Sequence, residues 1–308
     1  FRQAFCTTPQ CSPCRASLYT GLYPHRTGVI GNLQSIDHRG QPIADLPGNF
    51  ETIASRLKAA GYVTAYFGKW HLGNHAAFEK HFDVSDLDGD AHGGATDRAV
   101  AFLKERAGQS APFALFVNYI NPHDNYDFIR ESSKIDLSAP PEHAVPHPAS
   151  WCETFANKPA PQQQFMREDQ GRFIYGEPDA LWEQYRLFYR GKCRLFDAEF
   201  GRLAEALDRH GFAGNTAVAL TSDHGDMDTH HRLVFKGPFM YEQLVRVPLI
   251  IRLPEAFGGR PAAVDAFAQA TDLLPTLCEL AGAHPGEPDG HSLAPWLTGK
   301  GRAPERDY

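Results

Sequence analysis

Four short apolar runs, Tyr62–Phe67, Phe113–Tyr119, Thr216–Thr221 and Val247–Leu253, stand out from a chain that is otherwise mixed in polarity. Apolar runs of this length between turn residues predict buried strands. Helical spacing of apolar positions covers Glu51–Ala60, Ala95–Ala107, Leu181–His210 and Thr271–Ala281. Gly61, Gly211 and Gly282 follow the first, third and fourth of these, where a helix commonly ends in a left-handed residue. Strands alternating with helices predict an α/β fold, a mostly parallel central sheet sandwiched by helices. No internal repeat is present.

Residues 125–180 break the alternation. "PPEHAVPHP" and "KPAP" lie within them, followed by Gln162–Gln164, a composition that predicts a long loop or insertion. Loops of that length in a compact domain are usually functional, and a substrate-facing lid is the expectation. Trp151, Trp182 and Tyr185 are read either as a carbohydrate-stacking surface or as core.

Chemistry-bearing residues gather directly after the strands. Tyr62–Phe67 runs into "GKWHLG" with Lys69 and His71, Phe113–Tyr119 into "INPHD" with His123, and Thr216–Thr221 into "SDHGD" with Asp223 and His224. In open parallel sheets the carboxyl ends of the strands form the ligand-binding edge. A lone histidine after a strand is usually a structural hydrogen-bonder, but three such strand ends together point to catalysis or metal binding. Asp223 and His224 offer an oxygen and a nitrogen to a divalent ion. Lys69, Lys236 and Arg15 supply positive charge, and His71, His123 and His231 can move protons near neutral pH. Such a set suits a phosphate or sulfate ester.

The segment "CTTPQCSPCRASLYTG" adds three cysteines at positions 6, 11 and 14. Pro13 suits a first helical position and Gly21 a stop, so Cys11 is expected at a helix N-terminus, where N–H groups and the dipole favour an anion. A redox dithiol has the same spacing but needs no field of Lys, His and Asp elsewhere. A zinc clip lacks a second closely spaced Cys/His pair.

Bulk properties exclude other classes. The chain has 308 residues, a formal charge of −7 and 42% hydrophobic residues. An acidic chain lacks the basic face of a nucleic-acid binder. No apolar run approaches the roughly 18 residues that a membrane span needs. Six cysteines in this length are too few for a disulfide-built fold, and Cys152, Cys193 and Cys278 are expected to be buried thiols. His75, His81, His92, His143 and His147 are expected in solvent or loops.

"CSPCRASLYTGLYPHRTGV" resembles the sulfatase signature C-x-P-x-R followed by A-S-x-x-T-G, carried by Cys11, Pro13, Arg15, Ala16, Ser17, Thr20 and Gly21. "GYVTAYFGKWHLG" at Gly61–Gly73 is similar to the second signature of the type I, formylglycine-dependent sulfatases of the alkaline phosphatase superfamily. The segments starting "SDHGD" and "ATDLLPTLCELAG" extend the resemblance over most of the chain outside residues 125–180. The resemblance implies an alkaline-phosphatase/sulfatase-like fold and the hydrolysis of a sulfate ester; it does not fix the alcohol, for which a carbohydrate is the expectation on base rates alone. It implies that a formylglycine-generating enzyme oxidises Cys11, and that one hydroxyl of the hydrated aldehyde attacks sulfur. The other hydroxyl then expels sulfate by restoring the aldehyde. By the same resemblance Arg15 steadies the formylglycine, His71 hydrogen-bonds it, Lys69 and Lys236 contact the sulfate, and His123 protonates the leaving alcohol. Asp223 and His224 would ligate Ca2+, or Mg2+ or another divalent ion, with the residue-11 oxygen, and His231 lies on the substrate side.

Cys14 stands where serine or alanine is commoner, and His224 where many sulfatases have asparagine. Histidine there also occurs in phosphonate and phosphodiester hydrolases, which keeps that activity as an alternative, beside a sulfatase-like binding protein without catalysis. The family's first strand ends in paired aspartates that do not precede Cys11. The chain is therefore read as one catalytic domain over 1–308, truncated at both ends, lacking that strand and a C-terminal subdomain. Compartment is open, a periplasmic, secreted or lysosome-like one being favoured over cytoplasm. The reading requires Cys11 and Asp223 to share one site.

Overall fold

The computed structural model of the chain describes residues 1–33, 35–36, 39–87, 94–135, 145–237, 239–257 and 263–301. All four expected strands form, the first shifted by one residue and the others trimmed: β2 Val63–Gly68, β4 Phe113–Asn118, β5 Val218–Thr221 and β6 Leu249–Arg252. Three strands join them that periodicity did not reveal, β1 Gln3–Phe5, β3 Val84–Leu87 and β7 Phe267–Gln269. At three or four residues each, these are too short to show alternation. The expected helices are present as α2 Ile53–Ala59, α3 Gly94–Arg106, α5 Asp179–Arg209 and α6 Leu273–Leu280, besides α1 Cys11–Thr20 and α4 Ala160–Glu168.

Among the described residues the strands pair as three small sheets, in the orders β3-β2-β4, β1-β7 and β5-β6. The first two sheets are parallel, which agrees with an α/β fold. The third is antiparallel, with Val218 opposite Arg252 and Thr221 opposite Leu249. A parallel pair needs a long crossover, usually helical. Between β5 and β6 the described chain offers only the single turns His230–Arg232 and Glu242–Val245. β6 also begins after Pro248, which has no N–H to give a ladder.

Two compact units emerge. The first comprises residues 1–119, 202–224 and 245–308, the second residues 120–201 and 225–244. In the first, Tyr19 of α1, Leu57 of α2, Tyr66 of β2, Trp70, Phe78 and Leu274 of α6 build the largest apolar cluster. In the second, the segment expected as a loop instead carries core: Phe128, Phe165, Met166 and Ile174 pack with Leu181, Trp182 and Tyr185 of α5. Residues 136–144, with His143, lie outside the described residues, as does His92. Trp182 and Tyr185 are thus core residues, and Trp151 packs partly buried against the same cluster. No helix among the described residues is long and apolar enough to cross a membrane.

Helix α1 is almost wholly buried. It starts at Cys11, two residues before the expected first position, so Pro13 sits inside the first turn, where a missing N–H costs nothing. Gln10 makes no side-chain cap. The Ser12 N–H instead donates to Asn32 Oδ1 at 3.1 Å. Gly21 ends the helix at φ 70°, its N–H donating to the Ser17 carbonyl. Arg15 fastens the helix to the strand tips: Nε donates to the Trp70 carbonyl at 2.8 Å, and Nη2 to Tyr66 Oη at 3.0 Å, to Asn118 Oδ1 at 2.9 Å and to the Lys69 carbonyl.

Two surface assignments are corrected. His81 is buried, its Nδ1 2.9 Å from the Thr52 hydroxyl, because the turn Glu79–His81 folds it against the Phe78 ring. Cys152 is exposed, Cys193 half-buried and Cys278 buried, and none of the six cysteines is joined in a disulfide. His75 is half-buried, and so is His147, which stacks on Trp151 at 4.0 Å.

Two predictions follow from this packing. Arg15→Met leaves the Trp70 carbonyl and the Asp223 carboxylate short of a buried donor, and urea denaturation should show a loss of about 3–5 kcal/mol. Burial lowers the His81 pKa from 6.5, so below pH 6.5 the unfolded chain binds a proton that the folded one does not. Stability from this residue is therefore present above pH 6.5 and lost as pH falls below it, by at most about 1.4 kcal/mol per pH unit. Denaturation of wild type and His81→Gln between pH 7.5 and 5 should show a shallower decline for the variant.

Candidate active site

Local geometry brings the tips of β2, β4 and β5 to the start of α1, all within the first unit. Gly68 closes β2 with φ 104°, and a Cβ there would lie 2.1 Å from the Asn118 carbonyl oxygen, so only glycine lets β2 and β4 approach this closely. The Lys69 N–H then donates to that same carbonyl at 3.0 Å, which fixes where the lysine leaves the sheet. His71 follows in the left-handed region at φ 53°, a conformation uncommon outside glycine and concentrated at functional sites. After β5, the Ser222 hydroxyl donates to the His224 carbonyl at 2.6 Å and shapes the turn that presents Asp223 and His224.

The side chains converge on Cys11. His224 Nε2 lies 3.2 Å from its Sγ, and Lys69 Nζ donates to that sulfur at 3.5 Å. Arg15 Nη1 pairs with Asp223 Oδ2 at 3.6 Å, and His224 Nε2 lies 3.6 Å from Asp223 Oδ1. Burial alone would push the Asp223 carboxyl up, but the charges of His224, Arg15 and Lys69 outweigh it and hold the group below its usual value. One donor atom each from Cys11, Asp223 and His224 lies within 4.8 Å of the others. The required juxtaposition of Cys11 and Asp223 is therefore present. A carboxylate oxygen and an imidazole nitrogen this close, largely out of water, fit a divalent cation.

The other three expected residues, His123, Lys236 and His231, belong to the second unit. His123 stacks on the Tyr126 ring at 4.9 Å, and Lys236 places its Nζ 5.7 Å from the centre of the same ring. Tyr126 in turn stacks on Phe235 at 4.0 Å. Lys236 is buried, with 7% of its surface exposed. His231 differs in setting: Nδ1 meets Glu153 Oε2 at 2.9 Å, and the ring stacks on Tyr241 at 4.2 Å. Lys158 and His231 together hold the Glu153 carboxyl below its usual value.

Sequence reasoning missed the residues that hold this machinery. Asn118 accepts from Arg15 and, at 2.9 Å, from the Tyr19 hydroxyl. Its signal was a polar residue closing an otherwise apolar strand. Tyr66 and Asn32 carried no local signal, because their partners lie 51 and 20 residues away.

Known proteins share the sequence pattern and the fold of this chain. The model of the family described as Sulfatase matches residues 1–283. The chain is similar to a delta 4,5-hexuronate-2-O-sulfatase of Bacteroides thetaiotaomicron, 30% identical, covering 100% of this chain and 66% of the relative. It is similar also to an uncharacterised sulfatase of Escherichia coli, 31% identical, over 91% of this chain and 60% of the relative. The chain thus spans less than two thirds of the length of both of these relatives. Among solved structures, a 2-O GAG sulfatase superposes with a TM-score of 0.83 at 27% identity, covering 99% of this chain and 68% of that one. A phosphonate monoester hydrolase of Agrobacterium radiobacter shares the fold, with a TM-score of 0.71 at 23% identity over 99% of this chain and 71% of its own. With its cysteine, arginine, lysine and Asp-His pair gathered at one helix start, and its fold that of these enzymes, the chain belongs to the sulfatase family.

Proposed function

We propose that the protein hydrolyses the sulfate ester of a sulfated saccharide, a glycosaminoglycan fragment carrying a 2-O-sulfated hexuronate being the first candidate. The observation that carries this reading is the convergence of Cys11, Asp223, His224, Lys69 and Arg15 at the start of α1. The named substrates of similar proteins, a hexuronate 2-O-sulfate and a GAG 2-O-sulfate, support the substrate class.

On this reading Cys11 is converted to formylglycine by a formylglycine-generating enzyme, and an oxygen takes the place of Sγ beside His224 and Lys69. The hydrated aldehyde supplies the nucleophile. Asp223 and His224 would hold Ca2+ or another divalent ion, which supplies positive charge to the sulfate oxygens when bound. Arg15 offsets the Asp223 charge and keeps residue 11 at the helix start. Lys69 donates to a sulfate oxygen, and His71 to the nucleophile. The family resemblance gives His123 the proton for the leaving alcohol, Lys236 a second sulfate oxygen and His231 a place on the substrate side.

Two measurements on the full-length protein, expressed with a modifying enzyme, test this. The Cys11 peptide should be about 18 Da lighter than the cysteine form, as replacing CH2SH by CHO requires. An unmodified thiol would favour a binding protein instead. Turnover of a 2-O-sulfated uronide should exceed that of a phosphonate monoester, and the reverse order would identify a phosphonate hydrolase. His123→Ala should lower kcat on the uronide by about 10²- to 10⁴-fold, the usual worth of a general acid.

A further inference from the structure

The hydroxyl of Tyr185 is buried in the second unit at the centre of a closed polar network. Tyr185 has none of its surface exposed, and its ring packs edge-on against Phe128 and Phe235, each at 5.5 Å. Its hydroxyl donates to Asp226 Oδ1 at 3.2 Å and accepts from Asn125 Nδ2 at 3.1 Å and from the Phe235 N–H at 3.2 Å. One donor and two acceptors exhaust what a phenol can do. Asn125 Nδ2 donates as well to Asp226 Oδ2 at 2.8 Å, so the tie is braced.

What the network joins gives it a function. Asn125 lies two residues after His123, in the same turn, His123–Asp127. Phe235 immediately precedes Lys236, and its φ of 56° is one a bulky residue holds only when its surroundings fix it. The Phe235 carbonyl accepts from the Met227 N–H at 2.8 Å, while its N–H reaches Tyr185. The rings of Tyr126 and Phe235, stacked at 4.0 Å, close the loop, and both His123 and Lys236 lie against Tyr126. The two functional side chains thus come from segments more than a hundred residues apart in sequence but share one buried anchor.

We infer that Tyr185 is a positioning residue, whose hydroxyl sets the spacing of His123 and Lys236 by tying Asn125, Asp226 and Phe235 together. This inference rests on the roles proposed for His123 and Lys236. It adds that their placement depends on a phenol in helix α5 that touches neither substrate nor metal.

Tyr185→Phe removes only the hydroxyl and keeps the ring packing. In the full-length protein the variant should lose about 10- to 100-fold in kcat on a sugar sulfate, whose alkoxide needs a proton, as sub-ångström misplacement does. On 4-nitrophenyl sulfate, whose leaving group needs none, only the Lys236 contact is at stake and the loss should be clearly smaller than on the sugar sulfate. An equal loss on both substrates would mean that the proton from His123 is delivered as before, and would overturn the inference. A second readout needs no turnover: the His123 ring proton, assigned with His123→Gln, feels the Tyr126 ring and should shift in the NMR spectrum of Tyr185→Phe. No shift overturns the inference whatever the activity. A shift in a protein inactive on every sulfate ester upholds the anchor and overturns the sulfatase reading. If Tyr185→Phe does not fold, Asn125→Ala cuts the same tie and is judged by the same two readouts.

Discussion

A buried guanidinium organises the first unit. Arg15 lies one helical turn after Cys11, with 5% of its surface exposed, and has acceptors on β2, β4 and the turn after β2. Burying that charge is tolerable only because its donors are met and Asp223 offsets it. The geometry that satisfies the fork therefore also dictates where α1 begins relative to the strand tips. A lysine, whose three N–H groups all leave one nitrogen, lacks the planar fork that meets these acceptors from separate nitrogens. Cys11 and Lys69 are close in the chain to groups that Arg15 fixes, and Asp223 pairs with it directly.

The second unit repeats this logic with a neutral group. Tyr185 does there what Arg15 does in the first: one side chain's hydrogen-bonding capacity is filled by separate segments, in surroundings otherwise apolar. Burial, with a further push from the Asp228 charge, raises the Asp226 carboxyl above its usual value, and the bonds from the Asp228 N–H, Asn125 and Tyr185 only partly counter this. Such networks are worth more complete than in parts, since each lost member leaves another buried and unmet. Strain tells the same story. Asp228, Thr229, His231, Arg232 and Phe235 all take positive φ, so the segment between His224 and Lys236 cannot hold its shape by local preference. Arg186 pairing with Asp228 at 2.9 Å and Tyr185 holding Phe235 supply the constraint from α5.

What was legible in the sequence was what local physics determines. Buried strands and glycine-stopped helices are local, and so is the rule that ligand residues follow strands; Lys69, Asp223 and His224 were found by it. The antiparallel turn of β6 was not legible, because pairing direction depends on whether a crossover helix exists, not on the strand itself. Residues 125–180 misled because their prolines mark irregular backbone, which does not forbid a core: Phe165 and Met166 are buried nonetheless. His81 was misplaced for a similar reason, a polar residue made apolar in practice by Thr52 and Phe78. Tyr185 stood among aromatic residues readable equally as surface or core, and only the positions of Asn125 and Phe235 reveal its role.

The shared fold of sulfatases and phosphonate hydrolases leaves charge unable to separate the two substrates. A sulfate monoester and a phosphonate monoester each carry one negative charge. They differ at one substituent: sulfur carries three non-bridging oxygens, whereas phosphonate phosphorus carries two and a carbon. On the proposed roles, Lys69, Lys236 and the bound cation each address an oxygen. A carbon in the third position would leave one of those groups desolvated and unmet, which costs about 1–3 kcal/mol for a neutral donor and more for a charged one. Rejection of an analogue that lacks a hydrogen-bonding atom is far stronger than rejection by size. On those proposed roles, selectivity for sulfate would rest in part on Lys236, whose backbone neighbour Phe235 is the residue that Tyr185 fixes.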